Sequence, residues 1–99
     1  MATSITERSV FAQTVTFSAD AMTVRLDDGR SITVPIDWFP RLLAGTPQER
    51  DQHEMIGGGI GIHWPLLDED ISVEGLLAGR RSGESAASLA RWAESRKRR

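Results

Sequence analysis

Strict two-residue alternation in three successive short runs constrains this chain more than any other feature. Ala12–Ser18 sets Val15 and Phe17 against threonines. Met22–Leu26 sets Met22, Val24 and Leu26 against Thr23 and Arg25. Ser31–Ile36 sets Ile32, Val34 and Ile36 against Ser31, Thr33 and Pro35. Alternation of this period gives a strand one buried face and one wet face. Short turns separate the runs, at Asp20 and at Asp27-Asp28-Gly29. Asp-Gly between alternating runs predicts a type I′ hairpin, in which both central residues take positive φ. The reading is a three-stranded antiparallel meander. Pro35 cannot donate to a ladder, so it marks an edge or the strand's end.

The pattern then shifts to helical spacing. Asp37 is a plausible N-cap for a short helix carrying Trp38, Phe39, Leu42 and Leu43, stopped by Gly45. Thr46-Pro47-Gln48-Glu49 reads as a capping box with proline at the first helical position, opening a second short helix that ends near Gln52. Glu54–Ile56 and Ile60–His63 flank Gly57-Gly58-Gly59 and predict a second hairpin, ended by Trp64-Pro65. Asp68-Glu69-Asp70 reads as an acidic turn, leading into a short helix over Ser72–Leu77 that Gly79 closes. After a linker, a last helix starts near Glu84 or Ser85, with Ala86, Leu89, Ala90, Trp92 and Ala93 as its apolar stripe. The expected fold class is α+β, with a body over residues 1–79. Residues 80–99 form a linker and a basic helix that packs on the body or on a partner.

Ninety-nine residues make one domain with one modest core. The absence of cysteine excludes a disulfide framework, a zinc finger and a thiol nucleophile. No apolar run reaches the ~18 residues that span a bilayer. The start Met1–Ser9 lacks the basic-then-apolar pattern of a signal peptide, so a cytoplasmic location is expected.

The formal charge of −2 hides a split. Residues 1–79 carry five basic and twelve acidic side chains, a balance of −7; residues 80–99 carry seven basic and two acidic, a balance of +5. The seven cations are Arg80, Arg81, Arg91, Arg96, Lys97, Arg98 and Arg99. A tail of this kind meets nucleic acid, an acidic partner or the chain's own acidic body, or it serves as a solvated helix end.

Motifs that carry chemistry are weak here. The glycines at 57–59 precede a strand rather than a helix and lack a following Gly-Lys-Ser/Thr, against a phosphate loop. Asp68–Glu74 begins like a calcium loop but has Val73 where glycine is needed and Gly79 where the bidentate glutamate belongs. His63 beside Asp68 and Asp70 offers a base oriented by a carboxylate, although a structural histidine is the commoner case. Tryptophans 38, 64 and 92 read first as core, and as partner anchors wherever one is left exposed. No catalytic residue, cofactor or metal site is expected.

Three segments together resemble a known family: Val34–Leu42 (VPIDWFPRL), Thr46–Arg50 (TPQER) and Gly57–Val73 (GGGIGIHWPLLDEDISV). They are similar to small bacterial proteins of domain-of-unknown-function family 2442, over about Val15 to Leu77. Ser88–Trp92 matches a Ser-Leu-x-x-Trp element of longer members. Gly45 departs from the alanine of many relatives, which puts nothing functional in doubt. The resemblance implies a small α+β domain with an antiparallel sheet. It also implies a place as the antitoxin of a two-gene, type II toxin–antitoxin-like pair, and it supplies no catalytic residues.

The expected function is therefore a non-enzymatic protein-binding module. Trp38, Arg41, His63, Trp64, Asp68 and Asp70 are its candidate contacts to a small basic protein, the toxin of the pair. The seven tail cations are candidates for weak contact with operator DNA or with an acidic partner. The alternatives are a standalone DNA-binding or transcription-regulatory accessory protein, and a small enzyme using His63, Asp68 and Asp70. A homodimer through a strand edge near Pro35 or through the last helix's apolar stripe also stays open.

Overall fold

The computed structural model describes residues 9–98. Its first half is a meander of β1 (Ala12–Phe17), β2 (Ala21–Leu26) and β3 (Ser31–Pro35), antiparallel in the order β1-β2-β3. Val15 faces Val24, Phe17 faces Met22, Met22 faces Val34 and Val24 faces Ile32, so the alternating apolar set shares one face. A bulge at Gln13 widens the inward spacing, and Ala12 and Val15 are both buried.

The β2–β3 turn is not the two-residue type I′ turn that Asp-Gly predicts. Gly29 N–H donates to Leu26 O (3.2 Å), Leu26 N–H donates to Arg30 O (2.8 Å), and of the loop residues only Gly29 has positive φ, at 95°. This is a three-residue loop in which a turn is followed by a glycine bulge. Asp28 keeps negative φ and accepts from the Arg30 backbone at 3.0 Å, which holds its carboxyl below the usual range.

The second half is another antiparallel meander: β4 (Glu54–Ile56), β5 (Gly61–Trp64) and β6 (Glu69–Ser72). Gly57, Gly58 and Gly59 all take positive φ (58°, 76° and 120°) in the β4–β5 turn. β6 corrects the acidic-turn reading of Asp68–Asp70. Acidic residues are poor strand formers and the segment holds one inward apolar residue, so its pattern is faint. Tertiary pairing decides instead: Ile71 seats opposite Ile62, and both are buried. Asp68 makes the tight turn before it, with φ of 53°.

Short helices fill the rest. A 3-10 turn at Ile36–Trp38 precedes α1 (Pro40–Ala44). Asp37 therefore lies inside the 3-10 turn and caps nothing; Pro40 restricts the residue before it and delays the helix to its own position. The capping box at Thr46 forms as read, with Glu49 N–H donating to Thr46 Oγ1 and Thr46 N–H donating to Glu49 Oε1, and opens α2 (Pro47–Asp51). α3 (Val73–Leu77) starts on a Ser72 cap, and α4 (Ala86–Lys97) on a Ser85 cap. Among the described residues no helix is long and apolar enough to cross a membrane.

Both sheets contribute to one core, in which Met22, Val24, Leu26, Leu42, Ile62, Trp64 and Leu67 are fully buried. The two backbones meet where Ala12 N–H donates to Gly59 O at 2.8 Å. A Cβ on Gly59 would lie 2.6 Å from Ala12 O, so only glycine allows that approach.

Candidate functional site

The β4-β5-β6 register assembles a row of ionisable side chains on the sheet's outer face. Glu54 faces His63, and His63 faces Asp70. Ile62 and Trp64 point into the core, which turns His63 outward. His63 Nδ1 lies 2.5 Å from Asp70 Oδ1, with Asp70 mostly open to solvent. The hydrogen bond to Asp70, helped by the charges of Glu54 and Asp68, raises the imidazole pKa above its ordinary 6.5. Ile56, 41% exposed, follows Glu54 on the same face. The dyad is oriented, yet the cavity beside Asp70 has neither His63 nor Asp68 on its walls, so the three do not share one concave site.

Arg41 is a hub rather than a free contact. Its Nε donates to Glu84 Oε1 (2.8 Å) and its Nη2 donates to Glu84 Oε2, a two-pronged pair with both side chains largely buried. Its Nη1 donates to the Asp68 carbonyl (2.8 Å). Its guanidinium also lies 5.1 Å from the centre of the Trp92 ring. Ser88 Oγ donates to Glu84 Oε2 at 2.7 Å. These contacts hold the Glu84 carboxyl below the usual range and keep Arg41 charged.

A second fastening lies one turn beyond Trp92. Arg96 donates to Glu49 at 2.9 and 3.2 Å, and its guanidinium sits 4.8 Å from the Trp92 ring centre. Glu49 thus serves the α2 capping box and the α4 fastening together, and its carboxyl is also held low, chiefly by Arg96. Trp92 is the one buried residue of α4, wedged between two guanidinium groups, with an indole N–H that finds no acceptor among the described residues.

The remaining candidates scatter. Trp64 is fully buried and donates its indole N–H to Arg50 O (2.9 Å), so it is core and presents nothing to a partner. Trp38 is half-buried beneath the Arg81 guanidinium, 4.7 Å from its ring centre. Asp68 is open and reaches Arg41 only loosely, at 3.4 Å. Arg80, Arg91, Lys97 and Arg98 are exposed and form no ion pair among the described residues; Arg99 lies outside them.

Three acidic residues that matter escaped the sequence reading. Glu54 joins the row only through strand register, and Glu84 finds Arg41 across 43 positions. Glu69 is half-buried, lines a cavity of about 240 Å³, and is pushed to a raised pKa by that burial. Reading β6 as a strand would have exposed the Glu54–His63–Asp70 row. No sequence signal marks Glu69 or Glu84.

A family model described as protein of unknown function (DUF2442) matches residues 12–82. A crystal structure of a protein of unknown function from Rhodospirillum rubrum is similar at a TM-score of 0.67 and 26% identity, covering 81% of this chain and 96% of that one. A solution NMR structure of an uncharacterized protein from Chromobacterium violaceum is similar at 0.65 and 27%, covering 87% and 78%. No curated protein matches.

Proposed function

The chain belongs to the DUF2442 family of proteins of unknown function, and on that footing we propose that it is a non-enzymatic module that binds a small basic protein, as the antitoxin-like member of a two-gene pair. The observation that carries this reading is the open row Glu54–His63–Asp70 across three paired strands, with exposed Asp68 and Ile56 beside it. A flat acidic face of this kind steers a cationic partner and sets its register, while one apolar residue gives it a dry contact. Co-expression with the products of the genes that flank its own, followed by affinity capture, tests the reading. Capture is expected from wild type and is weakened when Glu54→Gln and Asp70→Asn are combined. An empty capture with wild type refutes it.

A second reading, DNA contact, is favoured by the outward cations Arg91 and Lys97 of α4, Arg98 just after it and Arg80 of the linker. Each phosphate contact would add about −0.9 to the salt slope, so roughly four cations give weak, strongly salt-dependent binding. A gel shift comparing wild type with an Arg91→Ser, Lys97→Ser and Arg98→Ser variant decides it; equal shifts remove the tail from the mechanism. Cutting the chain before Trp92 would not serve, because it strips a core residue along with the cations.

A further inference from the structure

Glu69 is a carboxylate without an ion-pair partner among the described residues. It is half-buried on β6, an edge strand of the second sheet, and no described lysine or arginine lies within ion-pair distance of it. Its one hydrogen bond comes from its neighbour, Asp70 N–H, at 3.0 Å. Burial raises its pKa, and the Asp70 N–H bond and the more distant charge of Arg41, itself paired with Glu84, offset that desolvation only in part.

The space beside it is shaped. The cavity of about 240 Å³ lies between β6, α3 and the linker, backed by the buried side chains of Phe39, Ile71 and Leu76, with Asp70, Ser72 and Ser82 on its polar side. The linker is pinned there as a wall: Arg80 N–H donates to Gly75 O (2.9 Å) and Ser82 N–H donates to Trp38 O (3.0 Å). Arg80 and Arg81 also line it, but the Arg81 guanidinium is spent on the Trp38 face. A mostly polar cavity that ends on a carboxylate without an ion-pair partner, with a small apolar patch behind it, matches a cation carried on a short aliphatic stem.

We propose that this cavity is a binding site for a primary alkylammonium group, such as a lysine side chain, with Glu69 as its counter-ion and Phe39, Ile71 and Leu76 holding the methylene stem. The carboxylate gains the charged partner it lacks, and the stem leaves water. The site is built by the chain alone and requires no basic partner protein.

The test is an NMR titration of the full chain with Nα-acetyl-lysine amide. Parallel titrations use Nα-acetyl-norleucine amide, which lacks the ammonium, and acetate. Saturable shifts at Glu69, Ile71, Ser72 and Ser82 with the lysine probe are expected. Affinity should fall about tenfold or more for the norleucine probe, as for loss of one charge-assisted bond. Glu69→Gln should lose the same factor while its thermal midpoint is unchanged or raised, because no internal ion pair is broken. Absence of saturable shifts with wild type overturns the proposal. So does an equal response to the norleucine probe, or preferential binding of acetate at Arg80 and Arg81. A marked fall in the midpoint of Glu69→Gln overturns it as well, since that would make Glu69 a structural counter-ion.

Discussion

Replacing Arg41 by Gln tests how α4 is held. No backbone ladder joins α4 to the rest of the fold; it rests on Trp92, partly buried neighbours such as Leu89 and Ala93, and two arginine–glutamate fastenings. Arg41→Gln removes the two-pronged pair to Glu84, the 2.8 Å bond to the Asp68 carbonyl and one face of the Trp92 sandwich. It leaves Glu84, mostly sequestered, with the Ser88 hydroxyl as its hydrogen-bond partner and the more distant charge of Arg91. Hydrogen bonds to charged groups are worth about 1.5–3 kcal/mol and a stacked guanidinium adds roughly 0.5–1 kcal/mol. The open Asp68 carboxylate contributes close to nothing. Since these contacts share one side chain, the expected loss is about 2–3 kcal/mol rather than their sum. For a domain of this size that is a fall of roughly 10–20 °C in thermal midpoint. Urea unfolding, hydrogen exchange across Ala86–Lys97 and a double-mutant cycle with Glu84→Gln measure it. A coupling energy of about 1 kcal/mol or more and faster exchange confined to α4 are expected. A loss below about 0.5 kcal/mol with α4 protection unchanged refutes the account.

Other consequences are as direct. Gly59→Ala combines φ of 120° with a 2.6 Å clash on Ala12 O, and should cost several kcal/mol in urea unfolding. Gly58→Ala, at φ of 76° in open space, should cost only about 1–2 kcal/mol; equal costs would deny the Gly59–Ala12 joint. The His63 ring should titrate above 6.5 by NMR, and Asp70→Asn should bring it down. Because its folded pKa is raised, its contribution to stability is complete below about 6.5 and is lost as pH rises through the raised value. Glu49 and Glu84 have the opposite sign. Their contribution is complete above the ordinary 4.5 and is lost as pH falls through their depressed values. Glu84→Gln should flatten part of the acid limb in a stability–pH series.

Legibility in the sequence followed periodicity. β1 to β3 were plain because Val15, Phe17, Met22, Val24, Leu26, Ile32 and Val34 alternate without a break, and the Thr46 cap was plain because a capping box is a local four-residue code. β6 was hidden because its register depends on β5, not on its own residues. The β2–β3 hairpin was legible but its turn class was not: the extra bulge residue depends on which carbonyl Leu26 N–H reaches. The site was less visible than the fold. Charge counting found a basic tail and an acidic body, yet it could not show that Arg96 and Glu84 spend themselves on Glu49 and Arg41. Nor could it show that Trp64 is core while Trp92 is clamped between cations.

The two meanders pair only with themselves. Every ladder joins strands adjacent in sequence, and no strand crosses from one sheet to the other. Each half can therefore close its backbone bonds through short loops before the halves meet. Loop-closure entropy is then small for both, and collapse reduces to docking two prebuilt faces around Trp64. A chain wired this way is suited to being divided. Two fragments separated at the exposed Gln52, each holding one meander, carry all their own strand partners. They should reassemble on mixing through side chains and two backbone bonds, Ala12 N–H to Gly59 O and Ser82 N–H to Trp38 O.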